Sequence, residues 1–132
     1  MITRITIKTD PPSRTYKDRL TITRFSVRYE YEPFMPTEAN PAKKWTVSSK
    51  DATFTGMFRN LCEEVEQILA MPERPIDRNA TITTFMIMSE DGNREERALT
   101  ESDEIYTICF TIIDQMVKYA NRQPQVQPRK KD

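Results

Sequence analysis

The sequence predicts an α+β fold in two layers: an antiparallel sheet of about five strands with two helices on one face, in the order β-β-β-α-β-β-α. Three observations point there. Several stretches alternate apolar and polar residues with the period of two that a half-buried strand requires. Two others carry apolar residues at the 3.6 period of an amphipathic helix. And the chain repeats itself: LTITRFSV at 20–27 returns as ATITTFMI at 80–87, and DATFTGMF at 51–58 returns as DEIYTICF at 103–110. The repetition predicts two strand–strand–helix units, about 18–70 and 80–120, within one domain of residues 1–120. Two such units share a sheet most simply with both helices on the same side.

Residues 2–9, ITRITIKT, read as the first strand, and the two prolines after it as a loop, because proline cannot donate to a strand ladder. Residues 18–32 read as one long strand, with Thr23, Phe25, Val27, Tyr29 and Tyr31 facing one way and Ile22, Arg24, Ser26, Arg28 and Glu30 the other. A Pro-rich loop leads to a short strand at 43–48, with Trp45 and Val47 on one face. A helix follows. Ser48 with Asp51 three residues on predicts a cap that satisfies orphan backbone N–H groups. Phe54, Met57, Phe58, Leu61, Cys62, Val65, Ile68 and Leu69 make a stripe about 140° wide at ~100° per residue. Gly56 interrupts this helix where close approach of the second helix would compensate its low propensity. Strands at 80–89 and 94–99 flank Asp91-Gly92, a strong hairpin signal because glycine accepts the positive φ of the turn. The second helix is expected over 101–120, capped by Thr100 and Asp103, and residues 121–132 are expected to form a flexible polar tail with a basic end.

Composition narrows the chemistry. Lys+Arg and Asp+Glu number 20 each, so the formal net charge is zero and there is no global attraction to nucleic acid or anionic membrane. Histidine is absent, which removes the commonest general base and the commonest transition-metal ligand. Only two glycines occur, too few for a phosphate-cradling loop. Cys62 and Cys109 have no metal or redox spacing and read as small buried hydrophobes in a reducing, cytoplasmic setting. The first residues lack the apolar run of a signal peptide, and no stretch reaches the ~20 apolar residues of a membrane span. The carboxylate pairs fall on polar helix faces and beside turns, where solvation accounts for them. No catalytic residue, metal or cofactor is expected.

What remains is surface. Apolar residues on the second helix, from Ile105 to Ala120, cover an arc of about 200° at ~100° per residue, wider than one sheet face needs. The surplus flank holds Tyr106, Phe110 and Val117 or, on the other side, Ile108, Ile112 and Tyr119. Phe34 and Met35 sit between prolines in a stiff loop, a pattern suited to anchoring a partner. These features predict a non-catalytic interaction protein that binds a protein partner through Tyr106, Phe110, Val117, Phe34 and Met35. An inhibitor or adaptor of the kind a phage or mobile element encodes fits that description, and a homodimer would also bury the flank. The alternative is a nucleic-acid-binding module using Arg4, Lys8, Arg24 and Arg28 on the outer sheet face with Arg129, Lys130 and Lys131 of the tail. The outward positions carry no aromatic for base stacking, with only Tyr16 and Phe34 at the margins.

Overall fold

A computed structural model of the chain describes residues 1–13, 15–72, 79–100 and 104–122, with the backbone alone at Thr100 and Arg122. Alternating burial makes β1 (Ile2–Asp10), β2 (Tyr16–Thr23), β3 (Ser26–Pro33) and β4 (Lys43–Ser48), followed by α1 (Ala52–Ala70), β5 (Ile82–Ser89), β6 (Arg94–Thr100) and α2 (Glu104–Arg122). All strands pair antiparallel in one sheet of six, ordered β4-β3-β2-β1-β5-β6. The expected α+β class holds, with one strand more than expected.

The extra strand comes from residues 18–32, which form a hairpin rather than one strand. Arg24 and Phe25 are the turn, and Thr23 pairs with Ser26. Paired residues share a face, so the turn shifts the alternation: Ile22 lies buried under the helices, opposite Val27. Phe25, expected inside, is 38 % exposed at the hairpin tip, and Arg24 leaves the sheet face with it. The stretch LTITRFSV therefore bends through a turn, whereas ATITTFMI runs into a single strand. The order strand–strand–helix nevertheless recurs, in β3-β4-α1 and in β5-β6-α2. Pairing sets Val27 against Val47 in one hairpin and Thr83 against Leu99 in the other.

The core lies between the sheet and the helices. Ile5, Ile7, Ile22, Val27, Val47, Phe85 and Ile87 point up from the strands. Phe54, Phe58, Leu61, Val65 and Ile68 of α1, with Cys109, Ile113, Met116 and Ala120 of α2, point down. Each fully buried large side chain of this kind contributes about 1.5–3 kcal/mol relative to leaving it in water. Thr83 is fully buried among them, and its hydroxyl has no hydrogen-bond partner among the described residues.

The helices lie side by side, antiparallel, across the strands. The first starts beyond the Ser48 end of edge strand β4 and ends against the opposite edge, where Arg97 Nη2 donates to the Leu69 carbonyl at 3.3 Å. That bond satisfies one of the carbonyls left open at a helix end. The second starts beyond the other end of the sheet, after β6, and runs back over β3 and β4. Its Tyr119 hydroxyl meets Asp51 at the start of the first.

The cap of α1 differs from expectation. Asp51, not Ser48, is the N-cap residue, accepting from Thr53 N at 2.7 Å, while Ser49 Oγ accepts from Asp51 N at 3.1 Å. Hydrogen bonding from Thr53, then from Tyr119, holds the Asp51 carboxyl below its ordinary range. A lowered carboxyl pKa stabilises the fold above the unfolded carboxylate's value, and that contribution is lost as pH falls through the lowered one. The expected cap residue Asp103 and the expected tail beyond Arg122 lie outside the described residues, and the second helix continues two residues past the expected end. At the β5–β6 turn, Gly92 has φ +89°, as the hairpin signal anticipates.

Gly56 makes no close approach: a Cβ placed on it meets no other atom within 4 Å. Gly56→Ala is therefore expected to stabilise the protein by about 0.5–1 kcal/mol, through helix propensity and a less flexible unfolded chain. A urea midpoint that rises with unchanged slope would show it; a lower midpoint would contradict it.

Candidate functional site

On the inner sheet face, Leu20, Tyr29, Tyr31 and Trp45 toward one end of the strands are half-buried, whereas Ile22, Val27 and Val47 toward the other end are fully buried. The helix α1 lies toward the Arg4 and Ser26 end of the strands and α2 toward the Asp10 and Pro33 end, because each follows from the strand end nearest to it. The flank of α2 that carries Ile112 and Tyr119 faces α1, since Tyr119 reaches Asp51. The opposite flank carries Tyr106, Phe110 and Val117, all half-buried, with the Tyr106 and Phe110 rings 4.5 Å apart. All three pack against the core, and α2 contacts β3 and β4. Ile108 remains 40 % exposed on the far side.

The half-buried ends of β2, β3 and β4 form an aromatic floor. Pairing sets Leu20 beside Tyr29 beside Trp45, and in the next row Asp18 beside Tyr31 beside Lys43. The rings of Tyr29 and Trp45 are 5.5 Å apart, and those of Tyr16 and Tyr31 5.6 Å apart. Lys43 Nζ sits 5.8 Å from the centre of the Tyr31 ring. The Tyr29 hydroxyl donates to Asp18 Oδ2 at 3.0 Å; burial first, and then the Asp18 charge, push the phenol above its ordinary pKa. It stays a neutral donor throughout the physiological range.

The β3–β4 loop rises beside this floor. Phe34 N donates to the Thr15 carbonyl at 2.9 Å, Tyr31 Oη to Asn40 Oδ1 at 3.1 Å, and Thr37 and Asn40 exchange backbone bonds. The loop thus has a fixed shape, yet Phe34 is 77 % exposed and Met35 72 %. A cleft of about 800 Å³ at the sheet end is lined by Tyr16, Pro33, Phe34 and Pro36, with Asp10, Lys17 and Glu32 at its rim. Of the residues expected from the sequence to contact a partner, Phe34 lines this cleft and Met35 follows it in the loop, while Tyr106, Phe110 and Val117 lie on α2, packed against the core. The cluster of Tyr16, Tyr29, Tyr31 and Trp45 was missed, because only the strand pairing sets these rings side by side.

Compared with protein-family models, with curated proteins and with solved structures, the chain matches none.

On the sheet face without helices, Arg4, Lys8, Lys17, Arg19, Arg28, Lys44 and Arg94 share the surface with Asp10, Glu30, Glu32 and Glu96, seven cations to four carboxylates by strand register. Of the residues expected to contact nucleic acid, Arg4, Lys8 and Arg28 lie on this face and Arg24 at its hairpin margin. Arg129, Lys130 and Lys131 lie outside the described residues. Arg19 and Arg94 were missed, the first because the turn at Arg24-Phe25 reverses the facing of its strand.

No three potential metal ligands gather among the described residues, and no described helix is long and apolar enough to cross a membrane. Cys62 and Cys109 are free thiols, both pushed up to about 12 by burial foremost, with Glu66 and Glu63 adding to the first and Glu64 to the second. Both are expected to resist alkylation by iodoacetamide at pH 8 in the folded protein and to react fully in denaturant. Rapid labelling of the native protein, read by mass spectrometry, would refute this.

Proposed function

We propose that the chain is a non-catalytic binding protein of the cytoplasm, an inhibitor or adaptor that holds a protein partner at the aromatic end of its sheet. The observation that carries this reading is the exposure of Phe34 and Met35, 77 % and 72 %, on a loop fixed by its own hydrogen bonds. Two adjacent large apolar side chains in water are unfavourable unless something covers them. A preformed loop loses little conformational freedom on docking, so the apolar contact appears as affinity. In this reading the surface extends to the half-buried rings of Tyr29, Tyr31 and Trp45 and to Phe110 and Val117 on α2. Aromatic side chains of this kind dominate the energetic centres of protein interfaces.

Affinity purification from cells that encode the protein, with Phe34→Asp/Met35→Asp as the paired control, tests the reading. A partner retained by the native chain and lost with the variant supports it; equal retention by both removes it.

A further inference from the structure

We infer that the open face of the sheet is a second binding surface, which takes the phosphate backbone of a single-stranded nucleic acid. The chain is neutral overall, but its charge is segregated. Two of the four carboxylates of this face lie at one end, where Asp10 and Glu32 flank Lys17 and Lys17 bonds Glu32 at 3.2 Å. The rest of the face is cationic: Arg4, Lys8, Arg19, Arg28, Lys44 and Arg94 outnumber Glu30 and Glu96, and Arg28 holds Glu30 at 3.7 Å. On the other side of the molecule, α1 exposes Glu63 and Glu66. A polyanion is therefore attracted to one face and repelled from the other.

The chemistry between the cations suits phosphate. Thr6, Thr21, Thr23, Ser26 and Thr46 place short hydroxyl groups among them, and hydroxyls and cations together make most backbone contacts to nucleic acids. At the cationic end, the β2–β3 turn presents Phe25, 38 % exposed, with the Arg24 guanidinium 4.7 Å from its ring centre. An exposed ring beside a cationic track lets one base stack where the strand leaves the sheet. Among the described residues no helix stands off this face to enter a duplex groove, so the single strand is the form that fits. The clefts on the face, one lined by Lys8, Arg19 and Glu30 and one by Arg4, Met86 and Arg94, hold no ring on which a base would stack. With Phe25 the stacking position, recognition is independent of sequence. The surface is separate from the Phe34 end and does not depend on the protein-binding reading.

Fluorescence anisotropy of a labelled 20-nucleotide oligothymidylate against the full chain tests this. Binding at 50 mM NaCl is expected to weaken roughly tenfold or more at 200 mM, the signature of counterion release. Arg4→Glu/Arg28→Glu is expected to abolish it, with an unchanged circular dichroism spectrum showing the fold intact. Phe25→Ala is expected to weaken it by about fivefold or more through lost stacking. Phe34→Asp should leave it unchanged, which separates this surface from the first. No binding at 50 mM, or equal binding of a polyglutamate of matched charge, would overturn the inference.

Discussion

Replacing Phe34 and Met35 together by aspartate is expected to weaken the partner complex by about a hundredfold or more while leaving the fold untouched. Anchors at the centre of an interface cost about 2 kcal/mol or more each when lost, and every 1.4 kcal/mol is a factor of ten in affinity. The new carboxylates add the desolvation of two charges in an apolar seat. In the free protein both side chains already lie in water, so the thermal midpoint should stay within the change of about 0.5 kcal/mol usual for surface substitutions. Calorimetric titration of the partner alongside a thermal melt separates the two effects. A loss of binding that tracks a fall in stability would mean the loop is structural, and the proposed function would lose its main support.

Phe85→Ala is expected to do the reverse, costing about 3–5 kcal/mol of stability. Phe85 is fully buried on β5, paired with Ile7 on one side and Arg97 on the other. Removing its ring leaves a cavity under both helices that the β-sheet is too rigid to collapse into. Domains of this size are stable by only about 5–15 kcal/mol, so the variant retains a fraction of that margin. Its melting temperature is expected to fall by roughly 10 °C or more, measured by circular dichroism. A shift of only a few degrees would show that neighbouring side chains refill the space.

The helices were legible because their apolar stripes recur over five turns, and the β5–β6 hairpin because Asp91-Gly92 admits one backbone shape. The hairpin at Arg24-Phe25 was not legible, since neither residue is a turn former and alternation runs straight through them in the letters. That single turn accounts for the missing strand, for the reversed facing of Ile22 and for the concealed position of Arg19. The exposure of Phe34 and Met35 was readable from the flanking prolines. The half-burial of Tyr29, Tyr31 and Trp45 was not: apolar strand residues predict a fully covered face, and how far a helix covers it depends on a crossing angle set by long-range packing.

The position of β1 imposes a timetable on synthesis. β1 is made before both strands it pairs with, yet lies in the interior of the sheet, with β2 on one side and β5 on the other, and Ile2 pairs with Ser89. Until the ribosome has released the middle of the chain, the N-terminal four strands present a naked lateral border where β5 will seat. Folding must then close a loop of more than half the polypeptide, the slow kind of step in β-containing proteins. During translation that border is the molecule's most vulnerable feature, open to pairing with a neighbouring nascent chain.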